Sequence, residues 1–423
     1  GTGGGYYKAG DTVSISATVP AGMAFAGWSG DGVTFTDPSA INTTFTMPAR
    51  AVTITANFKS SSTGGSTGGG NSSSSSNGST TTTVTKPDGS TIETTKWPEG
   101  AQKIVKTNKN GTVTTTTTDK DGNRTQVVEN PDGSSKTTID NKDGSGSVTV
   151  VDERDKVVSE ITLSQSAVEA AQEKGGTVGL PMPELPVTTD RETAPTVTVG
   201  LPTNSSVKVE IPVKDVTPGT VAIIVKADGT EEVIKSSRTT ENGVAVALSD
   251  GDTVKIVDNS KTFTDVPAGY WGADAVTFVA SRELFGGTGA TTFSPDVAMT
   301  RGMIVTVLAR LESVDTDAGS TWYEAGRQWA MGNGISDGTN MDRGLTREQL
   351  ATILWRYAGS PSAAGDMDSY TDAGMVSDWA APAMIWAVES GILTGTSATT
   401  LSPQDPATRA QVATILMRFC ENM

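Results

Sequence analysis

The 423-residue chain has no histidine and a single cysteine, Cys420. Without histidine, imidazole acid–base catalysis and His-ligated metal centres are excluded, and one thiol cannot close a disulfide within the chain. Basic residues are outnumbered: 32 Lys and Arg against 48 Asp and Glu leave a net charge of −16. That balance argues against nucleic acid, which needs a basic surface for its phosphates, and against adhesion to an anionic membrane. No run of about 20 apolar residues occurs, so no membrane-crossing helix is expected. A signal-peptide pattern is missing too, and residue 1 is Gly rather than Met. The expectation is a processed or truncated chain with an artificial first residue.

What the chain has is repetition. Met299-Thr300-Arg301, Leu345-Thr346-Arg347 and Ala407-Thr408-Arg409 each precede an apolar ladder at +3, +6, +7 and +10 from the Arg. The ladders are Ile304, Val307, Leu308, Leu311; Leu350, Ile353, Leu354, Tyr357; and Val412, Ile415, Leu416, Phe419. This is the stripe of an amphipathic helix, repeated three times. A second Arg follows at Arg310, Arg356 and Arg418. Thr300, Thr346 and Thr408 sit where an N-cap belongs, and Gln349 and Gln411 complete capping boxes that Met303 cannot. An Arg at the first helical position is disfavoured by the helix dipole, by about 0.3–1 kcal/mol. Its recurrence points to a use: a guanidinium beside free backbone N–H groups makes an anion site. The bland alternative is a surface Arg paired with a carboxylate or reaching solvent.

These residues resemble S-layer homology modules. Copy one carries Phe263-Thr264-Asp265-Val266, Trp271, Phe293-Ser294-Pro295 and Thr300-Arg301. Copy three carries Tyr370-Thr371-Asp372-Ala373, Trp379, Gly391-Ile392-Leu393-Thr394-Gly395, Leu401-Ser402-Pro403 and Thr408-Arg409-Ala410-Gln411. Trp and Arg are 30 residues apart in both. Copy two is divergent, opening Trp322-Tyr323-Glu324 and running from Gly334-Ile335-Ser336-Asp337-Gly338 to Thr346-Arg347 without a Phe-Ser-Pro step. The resemblance implies modules at 261–312, 313–360 and 361–423 in an all-α pseudo-threefold unit that binds secondary cell-wall polysaccharide, often pyruvylated. It implies Arg301, Arg347 and Arg409 as contacts to an anionic sugar, with Thr300, Thr346, Thr408, Trp271, Trp379, Asp265 and Asp372 around them. A guanidinium suits a carboxylate and an indole suits a sugar face. Trp271 is equally an aromatic at a helix start and leans towards the core, Trp379 stands evenly between the two, and the preferred role of Asp265 and Asp372 is capping the first helix. Since copy three is intact, Arg409→Ala is expected to weaken binding more than Arg347→Ala.

Upstream the chain is β-rich. Residues 6–58 alternate in short runs between Gly, Pro and Asp, the mark of a small β domain over residues 1–59. Gly10-Asp11-Thr12-Val13, Gly27-Trp28, Thr46-Met47-Pro48 and Ala56-Asn57-Phe58 resemble a divergent internalin-type B repeat that looks cut at Gly1. Residues 60–85, almost all Ser, Gly, Thr and Asn without charge, read as a flexible linker spanning on the order of 25–30 Å. Gly89, Gly100, Gly111, Gly122, Gly133 and Gly144 then recur every 11 residues, each after an acidic or amide residue. That spacing predicts an antiparallel meander over 86–146, polar on both faces, as one exposed sheet or a loosely packed stalk. Asp119-Lys120-Asp121-Gly122-Asn123 opens like a calcium loop, but the remaining ligands and the Glu at position 12 are missing, so no metal or cofactor is expected. Residues 147–260 read as a β domain fronted by one helix at 164–174.

No nucleophile–base pair or supported carboxylate pair appears. The expectation is a non-enzymatic, extracellular, multi-domain protein of the cell wall or S-layer, β-rich ahead of its helical triad. Its partners would be wall polysaccharide and a host or neighbouring surface protein. The alternatives are the anchoring end of a larger secreted enzyme, such as a glycoside hydrolase with a catalytic domain before Gly1, or a lattice-forming S-layer subunit.

Overall fold

Alternating Thr and aliphatic residues make strands, and the Thr-Arg ladders make helices, in the computed structural model of the chain. It describes residues 9–17, 23–30, 33–48, 52, 54–60, 72–74, 78–174, 176–317 and 319–422. Two units separate, Gly1–Pro131 and Asp132–Met423.

In the first unit, β1 (Thr12–Ser16) pairs antiparallel with β3 (Asn42–Thr46), and β2 (Met23–Gly30) with β4 (Ile54–Ser60). Period-two alternation buries Val13, Ile15 and Phe45, against which Trp28, Phe35, Val52 and Ile54 pack. The Trp28 indole N–H donates to the Ala40 carbonyl at 2.9 Å.

Much of the expected linker, 61–71 and 75–77, lies outside the described residues. Its remainder corrects the expectation, because β5 (Ser72–Ser74) and β6 (Thr80–Thr85) are paired strands. Thr is a good strand residue wherever a partner ladder exists, and β7 (Thr91–Lys96) supplies one. β8 (Gln102–Thr107), β9 (Val113–Thr118) and β10 (Arg124–Glu129) continue the antiparallel order. None of the described residues 78–131 is a buried apolar side chain, as the two-faced polarity predicted. The turn glycines hold φ near +90°: 87° at Gly89, 93° at Gly100, 90° at Gly111 and 89° at Gly122. Nothing lies within 4 Å of a Cβ placed on Gly100. Gly100→Ala therefore carries only the left-handed backbone penalty, and we expect a loss of about 1 kcal/mol in chemical denaturation.

The 11-residue phase runs further than the six glycines that announced it. Gly78 has φ 70°, and Asp155 stands where the next glycine would fall, with φ 61°. Aspartate is among the few residues that adopt this conformation. In the second unit β11 (Ser135–Asp140), β12 (Gly146–Val151) and β13 (Val157–Thr162) keep that phase. The remaining strands are β14 (Val178–Gly179), β15 (Thr196–Gly200), β16 (Val207–Pro212), β17 (Thr220–Val225), β18 (Glu231–Val233), β19 (Arg238–Thr239), β20 (Gly243–Leu248) and β21 (Thr253–Asp258). Within this unit one sheet has the order β11-β12-β13-β15-β21-β17-β18, with β13 and β15 parallel, and a second has the order β14-β16-β20-β19. The boundary expected at residue 147 thus falls inside a sheet, because β12 and β13 serve both the repeat and the domain that follows. Helix α1 (Gln165–Glu173) starts at Ser164, whose hydroxyl accepts from the Ala167 amide. Val157, Ile161, Val197 and Val199 meet Val209, Ile211, Val244 and Val246 in one core.

The C-terminal part is helical: α2 (Ala273–Ser281), α3 (Arg301–Leu311), α4 (Glu324–Gly332), α5 (Arg347–Tyr357), α6 (Ala381–Glu389) and α7 (Arg409–Asn422). All three ladders enter a single cluster, Tyr357 at its half-buried margin. Each second helix of a copy packs on the first helix of another: α3 on α4, α5 on α6 and α7 on α2. The residues before the threonines close a ring of backbone hydrogen bonds. Met299 N donates to Ala407 O (2.9 Å), Ala407 N to Leu345 O (2.8 Å) and Leu345 N to Met299 O (2.8 Å).

Candidate functional site

The threonines cap as predicted. Thr300, Thr346 and Thr408 accept from the amides of Met303, Gln349 and Gln411, and the last two glutamines return the bond to the Thr amide at 3.2 Å. The next amides are not free for an anion, which corrects the expectation of a helix-start anion site. Arg301, Arg347 and Arg409 donate their backbone N–H to Arg343, Asp405 and Val297 carbonyls, and the following residues donate to Met341, Pro403 and Pro295. In every case the acceptor lies in the loop of another copy.

The guanidinium groups follow the same circuit. Arg347 Nε donates to Leu401 O (2.8 Å) and Nη2 to Thr394 O (2.7 Å). Arg409 repeats this on copy one, with Nε on Phe293 O (2.8 Å) and Nη2 on Gly286 O (2.7 Å). It also lies over the Phe293 ring, 4.5 Å from its centroid. Both side chains are buried, and burial pushes their pKa values down from the ordinary arginine range. The Arg that meets the loop of copy two is Arg301. It reaches Asp337 Oδ1 at 2.7 Å and Ser336 Oγ at 3.3 Å, while its Nε is buried without a partner. The shortened loop of copy two therefore meets Arg301, while Arg347 meets the full loop of copy three and Arg409 that of copy one.

Asp265 and Asp372 do not cap the first helices; α2 and α6 begin at Gly272 and Ala380 without a side-chain cap. Asp265 accepts from the amides of Phe293 (2.8 Å) and Ser294 (2.7 Å), and Asp372 from those of Leu401 (2.8 Å) and Ser402 (2.7 Å). The Phe293 amide above all holds the Asp265 carboxyl below the usual carboxylate range. Ser294 and Ser402 adopt φ 57° and 51°. These bonds fold the loops whose Phe293 and Leu401 carbonyls receive the arginines. The aspartates thus shape the loops that hold the arginines.

A cavity of about 500 Å³ draws on all three copies. Trp271 and Asp296 come from copy one and Arg347 from copy two; Thr394, Gly395, Thr408, Gln411 and Arg418 come from copy three. Arg418 Nη1 donates to Thr394 Oγ1 at 2.9 Å. Trp271 is 62% exposed and Trp379 is 54% exposed, which corrects the core assignment of Trp271: both indoles precede the helix that would have buried them. Trp322, at the head of copy two, is exposed in the same way.

Sequence reasoning missed Arg282. This residue at the end of α2 is wholly buried and stacks 3.7 Å from the Phe278 ring centroid. Its donors reach the β-domain carbonyls of Ser237 (2.7 Å), Pro218 (2.8 Å) and Thr220 (3.1 Å). Burial lowers its pKa to about 9, so it stays protonated at neutral pH. Asn259 Nδ2 bonds Ser281 O at 2.6 Å and Arg238 Nη1 bonds Cys420 O at 3.0 Å across the same junction.

Residues 262–302 and 369–413 match the family model described as S-layer homology domain, and residues 1–62 match the divergent InlB B-repeat domain. The chain thus carries S-layer homology domains and a divergent internalin-type B repeat, and it is a cell-surface, cell-wall-located protein. Similar proteins include exoglucanase XynX of Acetivibrio thermocellus, 26% identical over 43% of this chain and 18% of that protein. Amylopullulanase of Thermoanaerobacterium thermosulfurigenes is 25% identical over 38% of this chain and 10% of its own length. The S-layer protein of Bacillus thuringiensis subsp. finitimus is 22% identical over 41% of this chain and 23% of its own. The chain therefore spans less than a quarter of these relatives.

Proposed function

We propose that residues 261–423 are three S-layer homology modules in a pseudo-threefold unit that holds the chain non-covalently on secondary cell-wall polysaccharide. The cavity beside Trp271, Arg347 and Arg418 carries this reading, because it exists only where three copies meet and offers what an acidic sugar needs. A guanidinium receives a carboxylate, such as that of a pyruvate ketal, while the indole covers an apolar sugar face. Weak contacts at separate arginine sites would then sum to stable retention, since each bound site raises the local concentration of polymer at the next. The β modules ahead of the unit would act as a display arm of adhesin-like character, offered to a host or neighbouring surface protein.

Trp271 is exposed and Arg418 half-buried, so a Trp271→Ala/Arg418→Ala variant should fold normally. We expect it to lose about tenfold in affinity for wall sacculi, equivalent to roughly 1.4 kcal/mol. Unchanged affinity with an unchanged melting curve would remove the cavity from the account. A second reading is favoured by the two relatives named as enzymes, whose likeness runs through the S-layer homology region. In it, this chain is the anchoring part of a larger secreted hydrolase. The S-layer relatives likewise support a lattice subunit, which would form ordered two-dimensional arrays when purified.

A further inference from the structure

Between the N-terminal module and the second unit, the chain has a sheet without a core. Residues 78–131 are rich in Thr, Lys, Glu and Gln, and no apolar side chain among them is buried. What holds β6 to β10 together is the backbone ladder. Each strand is six residues long and pairs with its neighbours in sequence: β6 with β7, β7 with β8, β8 with β9 and β9 with β10. Side-chain bonds join the same neighbours, the Thr81 hydroxyl to that of Thr95 at 2.9 Å and Gln126 Nε2 to the Thr116 hydroxyl at 3.2 Å.

The meander sets the direction in which a pull acts. Bonds of an antiparallel ladder lie perpendicular to the strands, so they point from one edge of the sheet to the other. Within the first unit the chain enters this sheet at the β5–β6 edge and leaves from β10. A load carried by the chain therefore runs along the hydrogen bonds. It opens them one after another, as a zipper opens, rather than shearing a whole strand at once. In the second unit the load meets a packed body. There β13 pairs with β15, whose Val197 and Val199 are wholly buried, and the three helical ladders share one cluster. Opening that unit exposes apolar surface to water, a cost the β6–β10 sheet does not carry.

We propose that the β6–β10 sheet is an extensible link, which yields strand by strand under tension and lets the arm lengthen while the anchoring unit stays folded. Repeats coupled to their nearest neighbours open and close in sequence. Hairpins built on local contacts re-form in about 1–10 μs, so the link recovers when the load falls. Each 11-residue repeat adds about 35 Å of chain, the length of 11 extended residues less one strand spacing. That the chain is under load rests on the wall-anchoring reading above; the peeling is a property of the sheet and stands or fails separately.

The test stretches the 423-residue chain by its two ends in an optical trap. Below the force that opens the second unit, it should lengthen in multiples of about 35 Å and shorten along the same curve on relaxation. Ile92 and Lys106 face each other across β7 and β8. The oxidised Ile92→Cys/Lys106→Cys variant should extend about 45 Å less than the wild type, and reduction should restore the difference. Release of residues 80–129 in one step, opening of the second unit before them, or an extension that the staple leaves unchanged would overturn the proposal. Failure of the chain to bind sacculi would instead remove the anchoring reading and leave the measured peeling in place.

Discussion

Arg282→Met is expected to destabilise the second unit by roughly 3–5 kcal/mol, the largest effect of any single substitution outside the cores. Methionine fills the volume, so the loss comes from polar groups. The carbonyls of Ser237, Pro218 and Thr220 would lose their donor while remaining at the junction. An orphaned buried carbonyl costs about 1–3 kcal/mol, and three of them outweigh the desolvation relieved by removing the charge. Because Arg282 ties the β domain to the helices, the variant should also uncouple them. Six of the eight tryptophans lie in the helical region and none in residues 132–260. Indole fluorescence therefore reports the helices, and far-UV dichroism adds the sheets. In urea the variant should show separated transitions by the two probes. A loss below about 1 kcal/mol, with the two transitions displaced no further than in the wild type, would contradict the junction described here.

The second large effect ranks the three arginines. Arg347→Ala and Arg409→Ala should each cost about 2–4 kcal/mol, since each strands two carbonyls around a buried guanidinium and empties a cavity. Arg301→Ala should cost less than about 1 kcal/mol, because its partner Asp337 is largely exposed and solvent screens that pair. For a domain of this size the first two would lower the melting temperature by about 5–15 °C and the third by a degree or two. Equal shifts from all three variants would mean that the circuit of carbonyl acceptors does not carry the assembly.

Sequence carried a great deal of this architecture and little of its wiring. The apolar ladders, the threonine caps and the glutamine returns are local, spanning at most a few turns, and the structure has them where the spacing put them. The 11-residue phase was equally legible, although only φ shows that Gly78 and Asp155 belong to it. Destinations of the arginines were not legible. Their acceptors are backbone carbonyls at Leu401, Thr394, Phe293 and Gly286, between 47 and 123 residues away in the chain. A carbonyl has no residue identity, so nothing in the pattern marks it as an acceptor. The same holds for Arg282. Asp265 and Asp372 looked like caps because they precede helices, but the loop amides they bind lie about 30 residues downstream. Trp271 and Trp379 were ambiguous because aromatic residues at helix starts occur both in cores and on surfaces.

The claim that the helical unit is a wall anchor is tested most directly by sedimenting the whole chain with purified sacculi, intact and stripped of secondary polysaccharide. The account predicts that the chain pellets with intact sacculi, remains in the supernatant with stripped ones, and is released in part by the Trp271→Ala/Arg418→Ala substitutions. Equal pelleting with both preparations would contradict it, placing the attachment on peptidoglycan or on another wall component.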